Sequence, residues 1–122
     1  MEWGNGLSRR LLVKSDAVGY TLTDTVVRAG TRSLLHYRNH IEACYCISGA
    51  GWVSDSSGCA FRIEPGTLYA LDQHDPHALE ADPDVDLRLV CVFAPALEGG
   101  EVHELRPDGY SCYGERVPSG AA

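Results

Sequence analysis

Short apolar runs, separated by Gly, Pro or Asp turns, constrain the fold of this chain more than any other feature. Clear examples are Val18–Val27 and Asp86–Phe93, which are rich in Val, Thr, Leu and aromatic residues. No segment carries the apolar period of a helix over as many as about ten residues. Strands that recur about every 8–12 residues with such turns are typical of an all-β sandwich or barrel. The sequence therefore predicts an all-β fold.

The predicted strands end where the chain becomes rich in Pro and Gly, at Ala94. We divide the chain into a flexible N-terminal segment (1–9), a barrel with a C-terminal coil (10–116) and a disordered tail (117–122). The predicted strands are Arg10–Lys14, Val18–Val27, Leu34–Tyr37, Ile41–Ile47, Trp52–Val53, Cys59–Ile63, Thr67–Leu71, His77–Ala81 and Asp86–Phe93.

Length and charge restrict the possible functions. The chain has 122 residues, which corresponds to one domain with a single core. A formal net charge of −7 argues against a nucleic-acid partner and against an anionic membrane surface. No apolar run approaches the roughly 20 residues that span a bilayer, and the sequence MEWGNGLSRR lacks the apolar core of a secretion signal. We therefore expect a cytoplasmic protein.

The five cysteines do not form a disulfide framework. Their number is odd and no CxxC pair occurs. Cys44 and Cys46 would point the same way on a strand with Cα atoms about 6.5–7 Å apart, at or beyond the disulfide limit. We expect free thiols in a reducing cytoplasm. Cys91 differs from the other cysteines because it is close in sequence to residues that we expect to line a cavity.

The segment GTLYALDQHDPH, residues 66–77, concentrates chemically active side chains at a strand end. A Pro-Gly turn precedes a short apolar strand, and a polar loop follows in which Asp72, His74, Asp75 and His77 lie close together. With Tyr69 on the strand, these side chains can bind a metal or act as an acid and a base. The alternative is a solvated turn with a chance pair of histidines.

Glu42 is a carboxylate in an otherwise apolar predicted strand, IEACYCI. It either faces solvent or points into the barrel, where it must be paired or bind a cation. Together with Tyr69 and His77 it offers oxygen and nitrogen ligands from neighbouring strands. An open site of this kind suits a divalent metal such as Fe(II), Mn(II) or Zn(II).

A second group of polar residues fits a small zwitterionic ligand. An arginine such as Arg10 would bind a carboxylate, and acidic groups such as Asp75 would bind an amine. Glu101 and His103 would share a face of an extended segment, which suits an acid/base pair, but both could equally be solvated coil residues. Tyr37 completes this group.

Three segments resemble known motifs. A histidine-rich segment that ends in Gly-x-Gly, followed by Pro-Gly and a later histidine, is similar to the two motifs of the cupin superfamily. More closely, YRNHIEACYCISGAG (37–51), EPGTLYALDQHDPH (64–77) and RLVCVFAPAL with GEVH (88–97 and 100–103) resemble the ectoine synthase family. The resemblance extends from Arg10 to His103, which is most of the chain.

This resemblance implies a single-domain cupin, a jelly-roll-like β-barrel, that closes N-γ-acetyl-L-2,4-diaminobutyrate to the compatible solute ectoine with loss of water. It implies an iron site at Glu42, Tyr69 and His77, and a homodimer. It implies catalytic roles for Glu101, His103, Asp75 and Tyr37, with acid and base not distinguished. The implied substrate cavity contains Trp3, Arg10, Thr23, Thr25, Tyr37, Cys91 and Phe93.

Three departures from the family pattern and two alternative functions follow from the sequence. Family members usually carry a longer segment, including a first strand, ahead of the tryptophan, so we expect a weaker dimer. The spacing from Trp3 to Arg10 is also longer than in the family. Thr23 stands where the family has an asparagine, and Ala94-Pro95-Ala96 stands where it has Asn-Pro-Pro, so we expect looser substrate selectivity. The alternatives are a related cupin cyclase or dehydratase acting on another small amino acid derivative, and a non-catalytic cupin that binds a small molecule.

Overall fold

The computed structural model describes residues 1–100, 103–105, 107 and 110–113, with backbone alone for 103–105 and 111–113. These residues form eleven strands and one short 3-10 helix, Lys14–Asp16. The strands are β1 (Ser8–Leu12), β2 (Thr21–Val27), β3 (Arg32–Leu35), β4 (Ile41–Ser48), β5 (Gly51–Asp55), β6 (Ala60–Ile63), β7 (Leu68–Leu71), β8 (His77–Ala81), β9 (Leu87–Ala94), β10 (His103–Leu105) and β11 (Ser111–Tyr113).

The strands form two sheets between which the chain crosses repeatedly. One sheet has five antiparallel strands in the order β1-β2-β9-β4-β7. The other has six strands in the order β10-β11-β3-β8-β5-β6, antiparallel except where β11 runs parallel to β3. From β2 to β9 the chain changes sheet at most connections, as in a jelly roll. The predicted all-β fold is confirmed.

The core lies between the sheets and follows the two-residue period of the strands. On β9, Leu87, Leu89, Cys91 and Phe93 are buried, while the residues between them are more exposed. On β4 the buried residues alternate in the same way and include Glu42. The parity of β4 therefore places this carboxylate inside the molecule, and the solvent-facing alternative is wrong.

All nine predicted strands are present, with ends that differ by a few residues. The prediction that the chain is coil after Ala94 is wrong, because β10 and β11 lie within that part. Each of these strands has only three residues. Strand β10 pairs with β11, and β11 pairs with β3, which is far away in sequence. A local pattern cannot reveal such a partner. The described residues contain no helix that is long and apolar enough to cross a membrane.

The first residues pack against β2. Trp3 is buried, and its indole Nε1–H donates a hydrogen bond to the carbonyl oxygen of Val26 at 2.8 Å. Strand β1 begins at Ser8, two residues before the predicted Arg10. The flexibility predicted for residues 1–9 stays a prediction, but within this segment Trp3 belongs to the core.

Gly49 makes the tight crossing from β4 to β5, and we predict that alanine there is far more destabilising than at Gly58. Both glycines have left-handed φ angles, +82° and +90°, so both substitutions carry backbone strain. A Cβ at Gly49 would also lie 1.9 Å from the carbonyl oxygen of Asp86, whereas one at Gly58 meets nothing within 4 Å. Gly49→Ala should lower the free energy of unfolding by at least about 2 kcal/mol more than Gly58→Ala. Equal losses in urea unfolding would contradict this packing.

Candidate active site

A row of side chains crosses the inner face of the five-stranded sheet at right angles to its strands. Tyr69 on β7 lies opposite Cys44 on β4, and Cys44 lies opposite Cys91 on β9. The row continues through Thr23 on β2 to Arg10 on β1. Residues directly opposite on antiparallel strands have Cβ atoms about 4.5–5.5 Å apart, so neighbours in this row are in contact range. Strand pairing alone thus assembles residues from five separate parts of the chain.

Glu42 adds a carboxylate beside this row. It precedes Cys44 by two residues on the same face of β4. One carboxylate oxygen of Glu42 and the sulfur atoms of Cys44 and Cys91 all lie within 4.8 Å of one another. The three residues are 8%, 1% and 3% exposed. We call this group the Glu42–Cys44–Cys91 cluster.

Burial controls the protonation of the cluster. It raises the pKa of Glu42 to about 7, although hydrogen bonds with the Cys44 and Cys91 thiols lower that pKa in part. Burial, and to a smaller extent the neighbouring Cys91, also raises the pKa of the Cys44 thiol well above its usual value. The pKa of Tyr69 is raised by burial and then by Cys44. Within residues 1–100, no lysine or arginine contributes to these three shifts.

The donor set of the cluster therefore suits a metal ion. Buried carboxylates and thiols become charged when they coordinate a divalent cation, and the cation replaces the missing positive side chain. The cluster supports a metal centre at this point of the sheet. Cys44 was not among the predicted site residues. The sequence shows that Cys44 lies on the same face of its strand as Glu42, two residues away. It does not show that Cys44 lies opposite Cys91, because that depends on which strands pair.

His77, the first residue of β8, has a free nitrogen suited to a metal. It is 2% exposed, and its Nδ1 lies 2.9 Å from the carbonyl oxygen of Asp75. A carbonyl only accepts hydrogen bonds, so Nδ1 carries the proton and Nε2 keeps its lone pair. Nε2 is buried without a hydrogen-bond partner among the described residues. Burial lowers the pKa of His77, which favours the neutral imidazole that binds metals.

Two cavities that share Tyr69 contain most of the predicted site residues. The inner cavity holds the Glu42–Cys44–Cys91 cluster, and the outer cavity holds His77 and Asp75. The Tyr37 ring connects them, with centroid distances of 6.1 Å to His77 and 5.5 Å to Phe93. The predicted residues that line the inner cavity are Trp3, Thr25, Tyr37, Glu42, Tyr69, Cys91 and Phe93.

The other predicted residues lie beside these cavities or outside the described part of the chain. Thr23 is fully buried, and its Oγ1 lies 2.9 Å from Oγ1 of Thr25. The Arg10 guanidinium donates a hydrogen bond to the carbonyl oxygen of Gly99 at 3.0 Å. Glu101 lies outside the described residues, and only the backbone of His103 is described, in β10. The predicted acid/base pair therefore stays a prediction.

The four cysteines whose side chains are described are free. Cys44, Cys46 and Cys91 are buried and Cys59 is exposed. This confirms the expected free thiols at these four positions. The side chain of Cys112 lies outside the described residues.

Glu42→Gln should remove the loss of stability that the metal-free protein shows as the pH rises from about 4.5 to about 7. Folding raises the pKa of Glu42 from 4.5 to about 7, so the folded state favours the protonated acid. The carboxylate therefore costs nothing below about pH 4.5 and reduces stability as pH rises towards about 7, by roughly 3 kcal/mol in all. Glutamine cannot ionise and avoids this loss. Urea unfolding after chelation measures the free energy of unfolding at pH 5 and at pH 8. The parent should lose stability relative to Glu42→Gln between these two pH values.

The exposed Glu64 provides the matched control for this prediction. Glu64→Gln removes an exposed carboxyl group and should not give the gain in stability at pH 8 that Glu42→Gln gives. A parent protein whose stability does not fall between pH 5 and pH 8, relative to Glu42→Gln, would show that the carboxylate is not buried as described.

Comparison with known proteins identifies the family. A family model described as ectoine synthase matches residues 2–112. The chain belongs to the ectoine synthase family. It is 51% identical over 104 residues to the L-ectoine synthase of Desulfatibacillum aliphaticivorans, covering 84% of this chain and 78% of that protein. It is 46% identical over 101 residues to the L-ectoine synthase of Halalkalibacterium halodurans, covering 82% and 77%.

Solved structures support the same family and fold. The crystal structure of ectoine synthase from P. lautus matches with a TM-score of 0.77 and 44% identity, over 81% of this chain and 70% of that chain. A cupin 2 conserved barrel domain protein from Salinispora arenicola matches with a TM-score of 0.65 and 18% identity, over 76% and 79%. The second similarity shows the fold alone. Both the predicted family and the predicted cupin fold are confirmed.

Proposed function

We propose that this protein is an enzyme that closes N-γ-acetyl-L-2,4-diaminobutyrate to ectoine with loss of water. The family match over residues 2–112 is the observation that carries this proposal. The similar L-ectoine synthases are matched over 78% and 77% of their own length. The buried polar cluster within that barrel provides a site where such chemistry can occur.

The proposed metal ligands are Glu42, Tyr69 and His77, and the proposed metal is Fe(II), with Zn(II) or Mn(II) as alternatives. Glu42 is a buried carboxylate without a cationic side chain among the groups that shift its pKa. His77 presents an unprotonated Nε2. Tyr69 borders both the cavity of Glu42 and the cavity of His77. When bound, a divalent metal supplies Lewis-acid activation of an amide carbonyl.

The residues of the chain have distinct parts in this reaction. The α-amine of the substrate must lose a proton before it attacks the amide carbon, and Glu101 or His103 is the proposed base. A C–N bond forms, and the carbonyl oxygen departs as water with the two protons that the amine nitrogen loses. Asp75 is the proposed acid that delivers a proton to this oxygen. It lies in the outer cavity next to His77.

Aromatic walls shield the inner cavity from solvent. Trp3, Tyr37 and Phe93 are buried aromatic residues that line it. Its volume of about 20 Å³ suits a metal ion or one water, whereas the outer cavity, at about 320 Å³, has room for the substrate. Exclusion of water beside the reacting groups favours a dehydration. Arg10 is the proposed partner of the substrate carboxylate because a guanidinium binds a carboxylate through two parallel hydrogen bonds.

We also propose a cytoplasmic location and small-molecule substrates as the only ligands besides the metal. The free cysteines agree with a reducing compartment. The acidic surface expected from a net charge of −7 is unsuited to nucleic acid or anionic lipid.

Incubation of iron-loaded protein with the acetylated diamine, followed by mass spectrometry, tests the function. The expected product has lost one water. Glu42→Ala and His77→Ala should bind iron at least about tenfold more weakly and lose turnover, because each removes a proposed ligand. Elemental analysis after anaerobic loading measures the metal.

His74→Asn is the matched control. His74 is an exposed histidine of the same loop, and its φ of +54° is one that asparagine adopts readily. Because His74 Nδ1 lies 2.9 Å from the carbonyl oxygen of Tyr37, this variant is a control for metal binding alone, and it should keep its metal. Full metal retention by both Glu42→Ala and His77→Ala would reject the ligand assignment, and the absence of turnover in metal-replete parent protein would reject the reaction.

We propose that two copies associate through the outer face of the five-stranded sheet. Tyr45 lies opposite Leu68 on this face, and both are exposed, Leu68 at 65%. Ile41 and Val92 extend the same apolar surface. Within the described residues strand β7 is also an edge strand of this sheet, and an edge strand can pair with another chain.

Leu68→Glu should weaken this association by at least about tenfold, because it places a charge in an apolar contact. Sedimentation velocity across a concentration series measures the change. Phe61→Glu is the control, since Phe61 is 60% exposed but lies on β6, at the edge of the other sheet. Equal effects of the two variants would place the contact elsewhere.

A further inference from the structure

Thr21 is a fully buried threonine on β2 whose hydroxyl takes no part in the roles proposed above. It lies opposite Phe93 of β9, on the face of β2 that packs into the core. Its Oγ1 accepts a hydrogen bond from the backbone N–H of Leu97 at 2.7 Å. It also lies 3.5 Å from the carbonyl oxygen of Leu97, to which the hydroxyl can donate its proton. Packing alone does not require this hydroxyl, since valine has nearly the same shape.

Leu97 anchors the segment that follows β9. It is completely buried, whereas the other residues from 95 to 100 are more exposed. Its carbonyl oxygen also accepts a hydrogen bond from the backbone N–H of Lys14 at 2.7 Å. Two residues further on, the carbonyl oxygen of Gly99 accepts the hydrogen bond from Arg10 described above. The chain around β1 and β2 thus holds this segment at two points, Leu97 and Gly99.

The anchored segment leads directly to the two candidate bases. Glu101 and His103 follow Leu97 by four and six positions, and His103 is the first residue of β10. Strand β10 is joined through β11 to β3 in the six-stranded sheet. A base must lie within about 2.6–3.2 Å of the proton that it removes. A displacement of about 1 Å can slow a reaction about 100-fold, so the anchor at Leu97 matters for the chemistry.

We infer that Thr21 is a positioning residue for the ring closure, because its bonds to Leu97 fix the segment that carries the two candidate bases. The inference rests on the proposed function, in which Glu101 or His103 is the base. Thr21 is not among the described residues that line the inner or the outer cavity, so it should affect the reaction through this segment. Substitution of Arg10 cannot test the same point, since Arg10 is also the proposed partner of the substrate carboxylate.

Two substitutions of Thr21 separate positioning from stability. Thr21→Val removes the hydroxyl and leaves the buried N–H of Leu97 without that acceptor. In iron-loaded protein this variant should lower kcat at least about tenfold, with iron content and KM within about twofold of the parent. Thr21→Ser keeps the hydroxyl and should recover most of kcat, although the loss of the methyl group lowers stability. A structural role predicts instead that kcat follows the urea midpoint in both variants.

Hydrogen exchange followed by mass spectrometry tests the anchor without any measurement of activity. In metal-free protein, Thr21→Val should speed amide exchange in the peptide 97–105 at least about tenfold, because it removes a bond that protects this segment. Thr31→Val is the matched control. The Thr31 hydroxyl donates to the carbonyl oxygen of Arg28 at 2.7 Å, in the turn at the other end of β2 from Thr21. This control should change neither the exchange of the peptide nor kcat.

The outcomes distinguish the inference from the proposed reaction. Unchanged exchange in Thr21→Val overturns the anchor, whether or not the parent converts the acetylated diamine. Faster exchange with unchanged kcat overturns the positioning role, and so does an equal loss of kcat in Thr21→Val and Thr21→Ser. Faster exchange in a protein whose parent form is inactive supports the anchor and rejects only the proposed reaction. Low kcat in Thr21→Val with recovery in Thr21→Ser supports the whole inference.

Discussion

The structure depends on a carboxylate that is buried between two sheets without a cationic side chain in the part of the chain that is described. Burial of Glu42 raises its pKa to about 7, so the metal-free fold bears a cost at neutral pH. A core that needed only stability would place an apolar residue on this strand. A bound cation removes the cost, because it stabilises the charged form that burial disfavours. Under the proposed metal assignment, Glu42 destabilises the metal-free fold, and the bound metal removes that cost.

The position of β4 in its sheet makes this arrangement possible. It pairs with β9 on one side and β7 on the other, so its register is fixed along both edges. A slip of one residue would turn Glu42 and Cys44 to the surface and bring Ala43 and Tyr45 inside. The cluster is therefore carried by a doubly paired strand and not by a loop. Rigid strands hold ligands within the narrow geometric limits that a metal centre requires.

The six-stranded sheet contributes a different kind of group. His77 opens β8, where the loop that contains Asp75 enters the sheet, and a backbone carbonyl fixes its tautomer. Tyr69 and the Tyr37 ring connect this histidine to the cavity of Glu42. The candidate site thus spans both sheets, with Glu42 and Tyr69 from one and the imidazole of His77 from the other. A site between two layers is enclosed, and such enclosure suits a dehydration.

The sequence by itself determined the strands from Arg10 to Phe93, the family and much of the site. Strand signals are local, since turn residues and apolar alternation occur within a few positions, and the motif around Tyr69 and His77 is contiguous. Tertiary structure alone decided three points: that Glu42 faces inward, that Cys44 meets Cys91, and that β10 and β11 join β3. Each depends on which strands pair and in what register. Strand pairing joins residues that are distant in sequence, so the contacts that stabilise it cannot be inferred from a short stretch of the chain.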